Sequence, residues 1–329
     1  MRSALAKMAQ DLDPSPRPEH ILSPEDQALY DACRWDVELF ARTFFPHLCP
    51  IDFCSMHHDF FERYRTDAGA RGLRDATAAP RVFAKTTIIG KIKIIHDCVY
   101  QHERYIVIIS SRDDLAVDKV KDIRDELETN EALHRVYGPQ RGPLWNVDDL
   151  ITAMGVRVRG ASRFTQVRGF LWGKMRPSKL VPDDAENSTL VLTEAQRQKT
   201  WDWFAEDISK LGDEQTNIEA IGTLLHEDSL LAKLLRNPGY RARRYQAVLA
   251  FAEASAVPLW QQWREIFLNL DNPTHQQDAR GFFEAHEAAM LKGTAVLWPE
   301  RYDYYRLMVE RLVDGDPAFF KERQNQPQR

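Results

Sequence analysis

Residues 79–87 have the side chains of a phosphate-binding loop. They read A-P-R-V-F-A-K-T-T and precede an apolar run that predicts a helix. Such a loop needs backbone N–H groups at a helix N-terminus, a lysine for the terminal phosphates and a hydroxyl for Mg²⁺. Lys85 and Thr86 meet the last two needs, but Ala79 and Ala84 replace both glycines of G-x-x-x-x-G-K-[ST]. Taken alone, the segment is equally well explained as an ordinary helix that begins at Ala84.

A group of carboxylates lies about a hundred residues downstream, directly after the short apolar run at 180–181. In phosphate-loop enzymes an acid at the end of a strand orders the Mg²⁺ water shell, and a neighbouring acid polarises the attacking water. We assign Asp183 to the metal and Asp184 to the water, with Glu186 as the second candidate for the water. Pro182 fits only the last position of such a strand, because it donates no ladder hydrogen bond. An acidic surface turn is the alternative.

The elements that must position these residues alternate along the chain. Residues 105–109 predict a strand buried on both faces, and residues 113–130 predict a helix. Shorter strands are expected at 156–158, 180–181 and 218–221, with helices at 194–210 and 227–235. This alternation is typical of an α/β fold with a mostly parallel sheet flanked by helices. After about residue 250 we expect no more strands, only helices at 260–270, 278–291 and 300–312 that form a lid.

The composition limits the classes of function. The chain has 329 residues, of which 43% are hydrophobic, and a formal net charge of −5. A small non-specific DNA-binding domain is usually basic, so any contact with nucleic acid must come from a local patch, or be weak in a single subunit and summed over several. No apolar stretch is long enough to span a membrane, the N-terminus has no signal-peptide core, and four cysteines are too few for a disulfide scaffold.

Several dispersed motifs together resemble the large subunits of bacteriophage terminases. They are the loop P-R-x-F-A-K-T-T, Ile108-Ile109-Ser110-Ser111, Arg168-Gly169, R-P…D-D-x-E, and Ile221-Gly222-Thr223-Leu224 with His226 and Asp228. The segments around Phe44-Phe45-Pro46-His47 and Ser55-Met56-His57, and the final Glu322-Arg323-Gln324-Asn325-Gln326-Pro327, also resemble that family. Alanine in place of loop glycines is common among its members, whereas Val82 stands where relatives often have glycine.

The resemblance implies a P-loop NTPase fold of the RecA or ASCE type that binds ATP and Mg²⁺. It implies an ATP hydrolase that drives double-stranded DNA into a procapsid, in the host cytoplasm. We expect a flexible lead at 1–22, a helical segment at 23–66, the ATPase core at 67–250 and a helical lid or linker at 251–329. The nuclease that follows the ATPase in this family is expected to be absent.

The resemblance also implies roles for single residues. Pro80, Arg81, Phe83, Ala84 and Thr87 would complete the nucleotide loop with Lys85 and Thr86, and Arg81 would sense the γ-phosphate. Thr86 and Asp183 would hold Mg²⁺, Gly222 and Thr223 would couple hydrolysis to the lid, and His57 would contact adenine. An arginine acting on a neighbouring subunit's nucleotide is expected to be Arg168, with Arg163 and Arg176 as rivals.

The partners implied are the DNA backbone, a portal protein, a small terminase subunit and further copies of the chain in a ring on the portal. The isolated protein is expected to be a monomer, and no membrane partner is expected. The basic residues at 119–121, 157–168 and 241–244 are candidates for a salt-sensitive grip on phosphates. Two other functions remain open: a degenerate phosphate-loop scaffold without turnover, and a helicase-like ATPase. A zinc site at His47, Cys49, Cys54, His57 and His58 is a further alternative, although its spacing departs from known zinc patterns.

Overall fold

The computed structural model describes residues 22–327, so most of the lead predicted at 1–22 lies outside the described residues. The chain opens with three helices, α1 (Pro24–Cys33), α2 (Val37–Phe44) and α3 (Ser55–Thr66). Helix α1 begins because Ser23 caps it: its hydroxyl accepts a hydrogen bond from Asp26 N at 3.1 Å, and proline occupies the first turn. Helix α2 buries one face, formed by Val37, Phe40, Ala41 and Phe44.

Within residues 22–327 the main sheet has eight strands in the order β3-β4-β5-β2-β6-β7-β1-β8. Strands β5, β2, β6, β7, β1 and β8 run parallel, and the β3–β4 hairpin adds antiparallel strands at one edge. The strands are β1 (Arg74–Ala78), β2 (Tyr105–Ser110), β3 (Arg141–Trp145), β4 (Asp149–Thr152), β5 (Arg157–Ser162), β6 (Lys179–Pro182), β7 (Asn217–Gly222) and β8 (Arg241–Arg244). The predicted fold class, a mostly parallel sheet flanked by helices, is therefore confirmed.

The order of the central strands decides which loops meet. Strand β7 lies between β1, which leads into the lysine-bearing loop, and β6, which leads into the acids. All three are parallel, so their carboxyl ends lie at one edge of the sheet. Pro182 is the last residue of β6, the position at which its missing N–H costs no ladder hydrogen bond.

Helices cover both faces of the sheet, and each face has its own buried cluster. The helices that follow the first strands are α4 (Lys93–Tyr100), entered through a π-helical segment at Thr86–Ile92, α5 (Asp113–Thr129) and α6 (Glu131–Tyr137). Later come α7 (Glu194–Trp203), continued by a π-helical turn at Phe204–Ile208, and α8 (Leu230–Arg236). Strand β2 is buried along its whole length, as the all-apolar run predicted.

The chain beyond residue 250 is mainly helical but keeps a strand. Its helices are α9 (Val257–Phe267), α10 (His275–Met290), α11 (Tyr304–Asp314) and α12 (Asp316–Glu322). Contrary to the prediction that strands stop there, β10 (Ala295–Val296) pairs antiparallel with β9 (Val248–Ala250). Trp263, Ala279, Phe283 and Met290 form a small core of their own. Over the described part of the chain, no helix combines the length and apolarity that crossing a membrane requires.

Candidate functional site

The loop between β1 and the following helix adopts the backbone conformation that glycines usually supply. Val82 and Ala84 have φ of 67° and 55°, in the left-handed region that residues with a Cβ adopt at a cost. Ala84 O accepts a hydrogen bond from Ile88 N at 2.9 Å, so the helix starts immediately after this turn. Ala84 is therefore not the start of an ordinary helix but the last residue of a tight loop.

Lys85 and Thr223 meet because β1 and β7 are neighbours, with Ala78 opposite Gly222. The Lys85 ammonium donates a hydrogen bond to Thr223 Oγ1 at 3.2 Å. The Thr223 hydroxyl in turn donates to Ala79 O at 3.4 Å, which ties the end of β7 to the start of the loop. Both side chains are buried. The predicted phosphate-binding lysine and the predicted coupling threonine thus lie in direct contact.

Thr86 and Asp183 also converge, across 97 residues of sequence. The Thr86 hydroxyl donates to Asp183 Oδ1 at 3.1 Å. Gly90 permits this approach of helix and strand end, because a Cβ there would lie 3.0 Å from Asp183 Oδ2 and 3.3 Å from Thr86 Cγ2. The structure therefore brings together the hydroxyl and the carboxylate that were assigned to the metal.

Asp183 is completely buried, and burial raises the pKa of its carboxyl group. Lys119, on α5, opposes that effect: its ammonium lies 2.8 Å from Asp183 Oδ2 and donates to Asp183 O at 2.6 Å. The sequence predicted that Lys119 belongs to a basic patch for DNA. The structure corrects this, because Lys119 contacts Asp183 instead. The two residues are 64 positions apart, so no local pattern in the sequence signals the contact.

Asp184 and Glu186, the two candidates for the water, have different surroundings. Asp184 is exposed, in a left-handed turn with φ of 49°, and its backbone is fixed by a hydrogen bond from its N–H to Ile221 O at 3.0 Å. Glu186 is buried, and its carboxylate accepts hydrogen bonds from Leu230 N at 2.8 Å and Leu231 N at 3.0 Å. Glu186 is thus occupied at the N-terminus of α8, and Asp184 is the acid that faces solvent at the sheet edge.

His57 is buried and contacts the backbone of the loop at Phe83. The prediction that it contacts adenine is therefore corrected. Cys54 N donates to Nδ1 at 3.1 Å, so the ring proton is on Nε2, which donates to Phe83 O at 3.0 Å. The Phe83 side chain also points away from solvent and stacks on Tyr302, with ring centroids 5.2 Å apart. Burial lowers the pKa of His57 to about 4.

This histidine makes stability depend on pH. Its pKa in the folded protein is below the ordinary value of 6.5, so the unfolded chain binds the extra proton first. The stability contributed by neutral His57 is complete above pH 6.5 and is lost as pH falls towards 4. Between pH 6.5 and pH 5, we expect the free energy of unfolding of His57→Gln to fall by about 2 kcal/mol less than that of the wild type. Urea unfolding at each pH measures this, and parallel profiles would contradict it.

A cavity of about 290 Å³ opens beside the loop. Val82, Ala84, Lys85, Thr86 and Thr87 line its loop side. The other walls come from the segment between α2 and α3 and from the C-terminal part, namely Leu48, Cys49, Pro50, Ile51, Phe53, Trp298 and Arg301. Pro80, Arg81, Phe83 and His57 do not line it. The apolar wall at 48–53 was missed from the sequence, although the resemblance pointed to that region.

The predicted arginines all have partners within the chain. Arg168 is exposed, and its Nε donates to Asp207 Oδ1 at 2.6 Å. Arg163 donates to Thr200 Oγ1 at 3.2 Å, and Arg176 to the carbonyls of Lys210 and Leu211. The Arg81 side chain is 71% exposed, with its guanidinium 3.9 Å from Glu322 Oε2. None of these four guanidinium groups is in contact with Lys85, Thr86 or Asp183 in this single chain, as far as residues 22–327 show.

Residues 322–325, the last residue of α12 and the three that follow it, connect the loop to the end of β7. Arg81 N donates to Glu322 O at 2.9 Å, and the Arg323 guanidinium donates to Arg81 O. Two residues further on, Asn325 Oδ1 accepts from Leu224 N at 2.9 Å. This clamp segment therefore contacts both the loop at 79–87 and the residue that follows Thr223.

The five residues of the zinc alternative are not arranged as a metal site. His47 pairs with Glu126 at 3.0 Å and His58 with Glu38 at 3.1 Å, while Cys54 and His57 contact each other. A different group, His96, Asp97 and His102, brings ligand-type atoms within 4.8 Å of one another. There, however, Asp97 is already bonded by two ammonium groups.

Those ammonium groups belong to a buried ionic network at the opposite edge of the sheet. Lys93 binds Asp97 Oδ1, and Lys179 Nζ lies 3.1 Å from Asp97 Oδ2 and 3.0 Å from Glu219 Oε2. The lysines lower the pKa of Asp97 despite its burial. Since the carboxylates are neutralised by lysines, we interpret the group as a structural ion-pair network.

No protein-family model matches the sequence, and no curated protein matches it. Among solved structures, the HK97 bacteriophage large terminase is similar, with 16% sequence identity and a TM-score of 0.47. The alignment covers 80% of this chain and 54% of that chain, so the chain spans about half the length of that terminase.

Proposed function

We propose that the protein is an ATP hydrolase of the phosphate-loop class that acts as the ATPase part of a DNA-packaging motor. The observation that carries the hydrolase proposal is the convergence of Lys85, Thr86, Asp183 and Thr223 at the carboxyl edge of three adjacent parallel strands. Thr86 lies 3.1 Å from Asp183, and Lys85 lies 3.2 Å from Thr223. Ligands of open α/β sheets bind at this edge.

The residues present fit Mg²⁺. The Thr86 hydroxyl and the Asp183 carboxylate are hard oxygen donors, the type that this ion prefers. They are already held together, at an N-terminal helix end that favours anionic phosphates. When bound with ATP, the ion would neutralise charge on the phosphoryl oxygens.

Residues of the loop, the acidic turn and the end of β7 would each have a separate role in binding and hydrolysing ATP. Lys85 supplies a fixed positive charge for the terminal phosphates, and the backbone N–H groups after Ala84 supply donors at the helix start. Asp184 is exposed at the same edge. A carboxylate there can accept a hydrogen bond from a water molecule, so Asp184 would orient the water that attacks. The wall around Ile51 and Trp298 offers apolar surface for a base. Thr223 touches Lys85, so a change at the phosphates reaches the end of β7 directly.

The hydrolase proposal is tested with the wild type. In titration calorimetry, we expect a non-hydrolysable ATP analogue to bind in the presence of Mg²⁺ and to bind much less in EDTA. In a turnover assay, we expect the protein to release phosphate from ATP slowly. Slow turnover is expected because a motor of this class receives an arginine from a neighbouring subunit. Absence of Mg²⁺-dependent binding would refute the proposal.

Binding without phosphate release would support the other function, a scaffold protein. A specific observation favours it: Val82 and Ala84 occupy left-handed positions without glycine's freedom. The helicase-like alternative gains no support, because in the part of the chain that the structure describes the region after β9 is helical apart from β10.

The DNA part of the proposal requires a basic surface, and several predicted candidates do not qualify. Lys119 binds Asp183, Arg157 binds Asp149 at 2.6 Å, and Arg241 binds Asp67 and Asp75. Lys121, Arg243 and Arg244 are exposed and take no part in these ion pairs. Arg243 and Arg244 lie on the edge strand β8, where with Arg236 they line an open pocket of about 510 Å³.

We expect the R243E/R244E double variant to bind a short DNA duplex more weakly and with a shallower salt dependence, by about two in the log–log slope. Fluorescence anisotropy at several salt concentrations measures both. Arg280→Glu, which reverses a charge on α10, is the matched control. An unchanged slope in R243E/R244E would place the DNA surface elsewhere.

A further inference from the structure

Lys119 contacts the proposed metal-binding acid at two points. Its ammonium donates to Asp183 O at 2.6 Å and lies 2.8 Å from Asp183 Oδ2. The other carboxylate oxygen, Oδ1, accepts the Thr86 hydroxyl at 3.1 Å. The two oxygens of one carboxylate therefore have separate partners, one from α5 and one from the nucleotide loop.

The placement of Lys119 is fixed by the packing of α5. The helix lies so close to β5 that a Cβ at Gly160 would be 2.9 Å from Ala116 O. At its N-terminus, Asp113 Oδ1 accepts hydrogen bonds from the hydroxyls of Ser162 and Thr165. Val120, next to Lys119, is completely buried. The ammonium is therefore presented by a rigid element, and its side chain is only 18% exposed.

We infer that Lys119 is a positioning residue for Mg²⁺, acting through Asp183. By holding Oδ2 and the backbone carbonyl, it fixes the carboxylate plane so that Oδ1 faces Thr86. It also supplies the positive charge that a fully buried carboxylate needs before the ion arrives. Because Lys119 and Thr86 use different oxygens, the ammonium does not have to leave when the metal site is filled. This inference rests on the proposed function.

The test is the Mg²⁺ concentration that half-saturates binding of a fluorescent ATP analogue to the full chain. Loss of a group that orients a metal ligand typically weakens metal affinity about 10–100-fold. We expect Lys119→Met to raise the Mg²⁺ midpoint by about that factor while nucleotide affinity in EDTA stays the same. Lys119→Arg, which keeps a donor and the charge, should recover part of the loss. Lys121→Met, exposed on the same helix, is the matched control.

The outcomes separate the two ideas. An unchanged midpoint in Lys119→Met would show that Asp183 needs no orientation by this lysine, and a lowered midpoint would show that the ammonium competes with Mg²⁺; either overturns the inference alone. If the wild type shows no Mg²⁺-dependent nucleotide binding, the proposed function itself fails. If Lys119→Met unfolds, Lys119→Arg carries the test, with a midpoint equal to that of the wild type counting against a role that depends on geometry.

Discussion

Lys85→Ala is expected to reduce the rate of ATP hydrolysis by about 10²–10³-fold. The lysine is the positive charge held at the start of the helix, and its burial means that solvent cannot replace it. It is also fixed by Thr223, so no reorganisation is needed when charge develops on the phosphates. Phosphate release under saturating Mg-ATP measures the rate.

The control is Lys91→Ala, a lysine in the same helical segment whose ammonium pairs with Asp122 at 3.4 Å instead. It should hydrolyse ATP at the wild-type rate. Asp183→Ala should match the loss seen in Lys85→Ala if both act on one nucleotide. Equal rates in the wild type and Lys85→Ala would show that the measured turnover does not come from this loop.

Lys179→Met should have the largest effect on stability, a loss of about 3–5 kcal/mol in the free energy of unfolding. Lys179 is 4% exposed and pairs with both Asp97 and Glu219. Removing the ammonium leaves two buried carboxylates with less compensation, and methionine fills the volume but carries no charge. Urea unfolding of both proteins at neutral pH measures the difference.

The double variant K179M/E219Q should recover part of the loss, because replacing the Glu219 carboxylate with an amide removes one of the two buried charges that lost the lysine as a partner. Lys174→Met, at an exposed position, should be neutral within about 0.5 kcal/mol. A loss below about 1 kcal/mol in Lys179→Met would mean that water reaches the network and that the lysine is not its central cation.

The sequence predicted the strands with strong apolar character and missed the polar ones. Residues 105–109 read Y-I-V-I-I and form the centre of the sheet as β2. Strand β1, R-D-A-T-A, and edge strand β8, R-A-R-R, were missed because their burial or pairing depends on neighbours rather than on their own hydrophobicity. Boundaries differed as well: the helix expected at 227–235 begins only at Leu230, where Ser229 caps it.

At the site, residues with local signatures were placed well, and residues defined by packing were not. Lys85 and Thr86 are neighbours in a motif and Asp183 directly follows β6, so the sequence predicted that these residues would converge, as they do in the structure. Glu186 caps α8, and His57 donates a hydrogen bond to Phe83 O. Neither role can be predicted from the sequence, because the partner helix or loop is distant along the chain. Lys119 requires the packing of α5 against the sheet before its contact exists.

The clamp segment, residues 322–325, has a consequence for how the protein is made. Its bond to Arg81 joins residues 242 positions apart, so the contact closes a very long loop of the chain. Contacts of such sequence separation form late, since the entropy of ordering the intervening chain must be offset first. A chain still on the ribosome, synthesised only as far as Gly315, would already have its central strands but would leave Arg81 without these partners. The proposed nucleotide binding should therefore arise only after residues 322–325 have been synthesised and have folded onto the loop.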